Sequence, residues 1–302
     1  MLAIAQSQQA PEPQAIIRKQ VNLVLVDVAV TDSKRALIGG LQASDFELLE
    51  DGAEQEIIHF SQDEIPLSIA LLVDVSRSML PSIEPIRKAL AHTLPTLKAE
   101  DRVALFSFAA ACRVEMPLSN DYPAMTRRVS ALQTAIGTNV NHALHYASEY
   151  LQQHAPSGRR VIILVSDMDN DMGNISDDRV EQQLTNLDVG FFGIRQVADL
   201  TASQRPWHGR RIDADRMAKT SGGFILDVPN PAKVDAAMVS LIKTLKLRYT
   251  LGFYPRAGGQ PGAIRDIKVR LKNTNRQKEL SRAKLHFRQR YQLPSEAPAN
   301  SP

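Results

Sequence analysis

The feature that most constrains the fold is a repeated change of hydrophobic period between residues 66 and 245. Short continuous runs of Val, Ile, Leu and Phe alternate there with apolar residues spaced three and four apart. Continuous runs are typical of strands buried on both faces, and the wider spacing is typical of amphipathic helices. The pattern predicts a doubly wound α/β domain at 64–246 with a mostly parallel sheet. Its predicted strands are residues 67–73, 102–108, 160–166, 189–195 and 223–228.

Four helices are predicted between these strands. The first follows Ser82, a plausible N-cap, and the second carries an apolar stripe from Val140 to Leu151. A third ends where Gly222 supplies a left-handed conformation, and the last covers residues 231–246. This order of elements agrees with strands joined by helical crossovers.

Both flanks of this region show a period of two instead. Val21, Leu23 and Leu25 recur at every second position before it, and Ile267 and Val269 do so after it. Neither flank carries enough strands to bury a sheet alone. Residues 17–62 and 247–292 are therefore predicted to form one small antiparallel β-sandwich, into which the α/β domain is inserted. Residues 1–16 and 293–302 are predicted to be disordered tails, the first of them alternatively a signal remnant.

Composition limits the partners and the compartment. The net charge of +3 is too evenly spread over 302 residues to favour nucleic acid, and the only cysteine, Cys112, can form no internal disulfide. No apolar run approaches the roughly 20 residues of a transmembrane helix. Ala3-Ile4-Ala5 before a polar segment resembles the end of a secretory signal. We expect an extracytoplasmic protein, periplasmic or secreted, and leave a cytoplasmic location open.

Polar side chains gather where the predicted strands end. Asp74, Ser76 and Ser78 follow the first strand, Asp167 follows the third, and Thr138 precedes a helix. Ligands of open α/β sheets bind at this carboxyl edge. Two carboxylates and three hydroxyls form an all-oxygen set suited to Mg²⁺, or to Mn²⁺ or Ca²⁺, rather than to zinc or copper.

These segments resemble a known family. Asp74-x-Ser76-x-Ser78, Gly137-Thr138 and Ser166-Asp167 are similar, in order and spacing, to the metal ion-dependent adhesion site (MIDAS) of von Willebrand factor type A (VWA) domains. One departure is Met168, where the family often has glycine. Residues 26–32, 44–52 and 249–255 also resemble segments around the A domain of bacterial, acidobacterial-type VWFA-related proteins.

The resemblance implies a Rossmann-like fold and a division of roles at the metal. Ser76, Ser78 and Thr138 would coordinate the ion directly, whereas Asp74 and Asp167 would act directly or through water. Two carboxylates do not over-neutralise a dication, so an open coordination position could attract an Asp or Glu of a protein partner.

The expected function is therefore metal-dependent, adhesion-type protein binding and not catalysis. Partner contacts are expected from the surrounding loops, and Asp169 and Asp171 are possible auxiliary ligands. The expected contact residues are Arg77, Asn139, Met168 and Trp207. Two other functions stay open: a structural protein with a vestigial metal site, and a metal-assisted enzyme.

Competing sites in the same sequence are less well supported. Residues 167–178 imitate an EF-hand loop, but Met172 stands where that loop requires glycine. His142, His145 and Glu149 share a helix face that we expect to be exposed. Ser76 and Ser78 lack a nucleophile-elbow pattern, and residues 74–78 contain no glycine for dinucleotide binding.

Overall fold

The computed structural model describes residues 23–33, 35–62, 65–155, 158–196, 210–256, 258–272, 280 and 282–293. The strands in these residues are Val24–Thr31 (β1), Phe46–Glu50 (β2), Ala53–Gln55 (β3), His59–Ser61 (β4), Leu67–Asp74 (β5), Arg102–Phe108 (β6), Cys112–Ser119 (β7), Arg159–Ser166 (β8), Asp169–Asn170 (β9), Val189–Gln196 (β10), Arg210–Arg211 (β11), Ile225–Val228 (β12), Tyr249–Phe253 (β13), Ile264–Leu271 (β14), Lys284–His286 (β15) and Arg290–Gln292 (β16). The α-helices are Leu80–Thr93 (α1), Tyr122–Ser130 (α2), Val140–His154 (α3), Asp177–Asn186 (α4), Ala214–Thr220 (α5) and Val234–Lys246 (α6).

A mixed sheet with the strand order β12-β10-β8-β5-β6-β7 forms the centre of the α/β region. All its neighbouring pairs are parallel except β6 with β7. Every residue of β5 is buried, as expected for a strand covered on both faces. One apolar layer packs this sheet against α1, α2 and α6, and the other packs it against α3, α4 and α5. The predicted doubly wound α/β fold is confirmed.

A β-sandwich lies beside this region and is made from both ends of the chain. Its two antiparallel sheets have the orders β15-β1-β13-β4 and β16-β14-β2-β3, so strands from before and after the α/β region pair in each. Their shared core includes Val26, Phe46, Tyr249 and Phe253. The flanking sandwich predicted from the period-two segments is confirmed, while the predicted domain limits stay predictions.

The structure differs from the sequence expectations at several places in the α/β region, where α2 and α4 were not predicted. Ser82 is not an N-cap: α1 begins at Leu80, and the Ser82 hydroxyl donates to Gln196 Oε1 at 3.0 Å. Strand β7 was not predicted, since Pro117 interrupts its alternation. It is an edge strand with irregular register, where proline is tolerated.

Parts of the sequence prediction fall outside the described residues. The first tail, 1–16, lies there entirely, and only Leu293 of the second is described. Among the described residues, no helix is both long and apolar enough to cross a membrane.

Candidate metal site

The site is centred on Asp74, the fully buried last residue of β5. Its Oδ1 accepts the backbone N–H of Ser76 at 2.9 Å, and its Oδ2 accepts the Ser166 hydroxyl at 2.6 Å. Ser166 is the last residue of the neighbouring strand β8. Because the loop after β5 holds one oxygen and the end of β8 holds the other, the carboxylate has one orientation at the carboxyl edge of the sheet.

Two hydroxyls and a second carboxylate lie next to it. The oxygens of Ser76 and Ser78 are 3.1 Å apart, with Ser76 buried and Ser78 exposed. The Ser78 hydroxyl hydrogen-bonds the half-buried Asp167, whose Oδ1 also accepts the N–H of Asp169 at 3.1 Å. The loops after β5 and β8 thus meet through side-chain oxygens, as the sequence predicted.

Thr138 lies in a third loop that is tied to the other two. The N–H of Ala135 donates to Val75 O at 2.8 Å, which joins this loop to the one after β5. The Thr138 N–H donates to Asp171 Oδ1 at 2.5 Å, and its carbonyl accepts two N–H groups from residues 171 and 172 at 3.1 Å. Thr138 is therefore held at the same edge by the loop after β8.

Glycine is required just before Thr138. Gly137 has a φ of +78°, in the left-handed region, and a Cβ there would lie 2.5 Å from Met172 Sδ. A larger residue at this position would strain the backbone and separate the two loops.

The two carboxylates are electrostatically unfavourable without a cation. Burial, and then the nearby charge of Asp167, raises the pKa of Asp74 to about 7 against the lowering effect of its hydrogen bonds. Burial likewise raises the pKa of Asp167, although Ser78 and the Asp169 N–H lower it. A cation bound between them would remove this cost.

Comparison with known proteins agrees with this geometry. The family model described as von Willebrand factor type A domain matches residues 69–170, which contain all five predicted ligands. The chain contains a von Willebrand factor type A domain. The predicted family resemblance is thereby confirmed. A comparison with curated proteins gave no match.

Solved structures with an overall likeness to this VWA protein are distant. An aerotolerance-related membrane protein from Bacteroides fragilis is 16% identical with a TM-score of 0.48, covering 59% of this chain and 98% of its own. A von Willebrand factor type A protein from Catenulispora acidiphila is 11% identical with a TM-score of 0.49, over 91% and 74%. Mussel byssus proximal thread matrix protein 1, with a zinc-occupied MIDAS motif, is 14% identical with a TM-score of 0.49, over 65% and 49%. The assignment rests on the family-model match and the site geometry, not on these likenesses.

The donors of the VWA site fit a hard divalent cation. Among the described residues, no group of three or more His, Cys, Asp or Glu side chains gathers at a potential metal site. The residues at the sheet edge are instead Asp74 and Asp167 with Ser76, Ser78 and Thr138, and the charge that acts on the buried Asp74 carboxylate is that of Asp167. Such a set is typical of Mg²⁺ or Mn²⁺ coordination completed by water.

The predicted partner-contact residues have different outcomes. Arg77 is exposed in the turn after Ser76, whereas Asn139 is half-buried and accepts the His142 N–H as the N-cap of α3. Met168 is 0% exposed and packs in the core, so its predicted partner contact is wrong. Its φ of +64° is in the region that glycine prefers, which is consistent with the family's glycine at this position. Trp207 lies outside the described residues.

The possible auxiliary ligands make other contacts in the structure. Asp171 receives the Thr138 N–H, while Asp169 pairs with Arg211 at 3.2 Å. Both therefore hold the loop in place, and their role as auxiliary ligands stays a prediction. In the helix face considered as an alternative metal site, His145 contacts Glu149 at 3.4 Å with a side chain only 18% exposed. The expectation that this face is exposed is thus only partly correct.

An apolar rim around the site was missed by the sequence analysis. Leu80, Ile136 and Met172 are 55%, 69% and 48% exposed; Leu80 begins α1 just after Ser78, and the other two lie on the loops that carry Thr138 and Asp171. They are three of the ten large apolar side chains that are exposed in the described residues. Each follows or precedes a predicted ligand by two to five positions, a signal available in the sequence once the loops were assigned.

Proposed function

We propose that this VWA domain holds one divalent cation, Mg²⁺ or Mn²⁺, with Asp74, Ser76, Ser78, Thr138 and Asp167, and binds a protein partner through it. The single observation that carries the proposal is the buried, doubly hydrogen-bonded Asp74 beside a second carboxylate and the two serine hydroxyls. The bound ion supplies an electropositive coordination position. The chain's own residues orient it and exclude water from its inner side.

Binding is favoured over catalysis by what the hydroxyls contact. Ser76 and Ser78 hydrogen-bond each other, and Ser78 also hydrogen-bonds Asp167. In the described part of the chain, no histidine hydrogen-bonds either serine, so neither has a base that would make it a nucleophile. The exposed side of the site faces solvent between three loops, where a macromolecule can approach.

The partner group is proposed to be an Asp or Glu side chain next to an apolar residue. A carboxylate can replace bound water on the cation and gain a charge-assisted contact. Selectivity then comes from the apolar rim, defined as Leu80, Ile136 and Met172, because one carboxylate contact alone is not selective. Arg77 lies between the two serine ligands and would contribute an exposed positive charge beside the apolar rim.

Thr138 gives the sharpest test of the metal set. Thr138→Val removes the hydroxyl at nearly constant shape and charge, and Thr138→Ser retains it. Titration calorimetry with Mg²⁺ should show at least about tenfold weaker binding for the valine variant, from the loss of one ligand, and near wild-type binding for the serine variant. Equal Mg²⁺ affinity in all three proteins would contradict the assignment.

Peptide selection tests the partner chemistry. Random peptides selected on the immobilised protein in Mg²⁺ and eluted with a chelator should be enriched in Asp or Glu beside apolar residues. Replacing that acid by its amide should abolish binding. Ile136→Ser should weaken peptide binding without changing Mg²⁺ affinity, whereas peptides retained in chelator would overturn the proposal.

A further inference from the structure

A cavity of about 330 Å³ lies where the VWA domain meets the sandwich. Its walls come from the first residues of β8 and β10 and from three sandwich strands or their neighbours. It opens at the amino edge of the parallel sheet. Strand β8 spans seven residue steps of about 3.3 Å, so the cavity is roughly 23 Å from the metal site and independent of it.

The walls carry an excess of positive charge. Arg159, Arg160, Arg248 and Arg288 line the cavity, and the only lining acids are Asp27 and Asp188. Four positive charges against two negative leave a surplus of two. Arginines brought this close repel one another unless an anion lies between them.

Three of these guanidinium groups have a buried nitrogen without a hydrogen-bond partner. Arg159 and Arg248 are 7% and 4% exposed, and Nη2 of the first and Nε of the second are unpartnered. Nε of Arg288 is buried and unpartnered as well. A buried charged donor without an acceptor is costly, and three of them in one wall add to the uncompensated positive charge that an anion would relieve.

The remaining nitrogens hold the arginines in place. Arg159 donates to Asp27 through Nε and to Leu245 O through Nη1 at 2.8 Å. Arg248 donates to Gly222 O at 2.8 Å. Arg288 pairs with Asp188 at 2.6 Å and donates to Leu25 O at 2.6 Å. The groups are thus preorganised in the cavity wall, and the three unpartnered nitrogens are buried within that wall.

We propose that this junction cavity binds a small oxyanion, a phosphate or a dicarboxylate, through the guanidinium groups of the arginines that line it, Arg159, Arg160, Arg248 and Arg288. Both ligand types present several acceptor oxygens and two negative charges, which match the surplus of two. The fork geometry of arginine suits either. Burial and the charge of Arg159 lower the pKa of Arg248 to about 9, a cost that a bound anion would reverse.

The test uses the whole chain in a chelator, so that the metal site cannot contribute. Inorganic phosphate and succinate are titrated separately by calorimetry and thermal unfolding, with chloride at equal ionic strength as the control. At least one of them should bind and raise Tm by about 3 °C or more, and chloride should not. Which one binds identifies the ligand class.

Three variants separate a site from general salt effects. Arg288→Gln should weaken anion binding at least about tenfold, since it removes a charged donor at the cavity. Asp188→Asn should strengthen it, because it removes the opposing charge at the mouth. Asn also tolerates the φ of +51° at this position. Arg290 is a nearby arginine outside the cavity wall, so Arg290→Gln should leave anion binding unchanged.

Because Asp188→Asn is expected to strengthen anion binding and Arg288→Gln to weaken it, the proposal can be tested even if Arg288→Gln is poorly folded. Neither phosphate nor succinate binding above chloride would overturn it. Equal weakening by Arg288→Gln and Arg290→Gln, or no gain for Asp188→Asn, would also overturn it. Loss of Mg²⁺ binding in Thr138→Val with unchanged anion binding would show that the two sites stand or fall separately.

Discussion

The two edges of the central sheet bury charge in opposite ways. At the carboxyl edge, Asp74 is fully buried and its nearest charge is another carboxylate, Asp167. At the amino edge, buried Arg159 is paired with an acid, Asp27, in a contact that joins the VWA domain to the sandwich. Removing one partner of a buried ion pair destabilises a fold because the other charge is left unpaired, whereas two buried like charges destabilise it while both are present. This contrast supports the proposal that the acidic edge binds a cation, whereas Arg159 and Asp27 join the two parts of the fold.

The largest expected effect is at the amino edge. Arg159→Met should lower the free energy of unfolding by about 3 kcal/mol, because it leaves Asp27 without its partner. Burial alone would raise the pKa of Asp27, but hydrogen bonding and charge from Arg159, with help from Arg248 and Thr250, hold it below its usual value. Urea unfolding in anion-free buffer measures the change.

The control for this variant is the next residue on the same strand. Arg160→Met removes an arginine whose recorded hydrogen bond is to Gln152, without an acid partner. It should change stability by no more than about 0.5 kcal/mol. A similar loss in both variants would mean that the ion pair across the junction is not what stabilises it.

The next effect has the opposite sign and is at the carboxyl edge. In chelator at pH 8, Asp74→Asn should raise the free energy of unfolding by about 2 kcal/mol, since it removes the buried charge. The folded pKa of about 7 lies above the unfolded value of 3.8, so wild-type stability falls as pH rises between these values. The gain should therefore shrink toward pH 4.

Saturating Mg²⁺ sharpens this comparison. The wild type should gain stability from the ion and overtake Asp74→Asn, which should gain little. Thermal unfolding with and without Mg²⁺ measures both. If Asp74→Asn is less stable than wild type in chelator at pH 8, the buried carboxylate is structurally required and the contrast between the edges fails.

Sequence patterns predicted the carboxyl edge far better than the amino edge. Asp74, Ser76 and Asp167 each follow a strongly apolar strand directly, so the strand positions alone place them together. The predicted ligands could be found because each lies within a few residues of a recognisable strand or helix. Met168 was misjudged because a polar loop is expected to be exposed, yet its left-handed backbone turns the side chain into the core.

The amino edge could not be read in this way, because its residues meet only through long-range packing. Asp27 and Arg159 are 132 positions apart, and the period of β1 shows only that alternate residues face inward. No local sequence pattern predicts which acidic residue pairs with an arginine at the start of β8. The sandwich itself was predictable from its period, while its register against the VWA domain depends on the whole fold.

The smallest expected effect is at the amino edge. It tests whether a residue there makes stability fall with decreasing pH, the opposite of the effect of Asp74. His286 is on β15, and its Nε2 lies 3.3 Å from Thr31 Oγ1. Its ring packs against the ring of Phe224, with the two centroids 4.8 Å apart. Burial, followed by the charges of Arg248, Arg35 and Lys284, lowers its pKa to about 4.

Because this folded pKa lies below the unfolded value of 6.5, the unfolded chain takes up the proton first as pH falls. Stability is then lost progressively between pH 6.5 and 4, over the range where protonation of Asp74 adds stability. His286→Gln keeps a polar side chain but cannot titrate. Between pH 7.5 and 5 it should lose about 1 kcal/mol less than its parent, measured by urea unfolding. The difference is clearest in an Asp74→Asn background, where the opposing trend is absent and the parent should lose stability on acidification. Parallel pH profiles with and without His286 in that background would show that the junction is insensitive to pH and that only the acidic edge titrates.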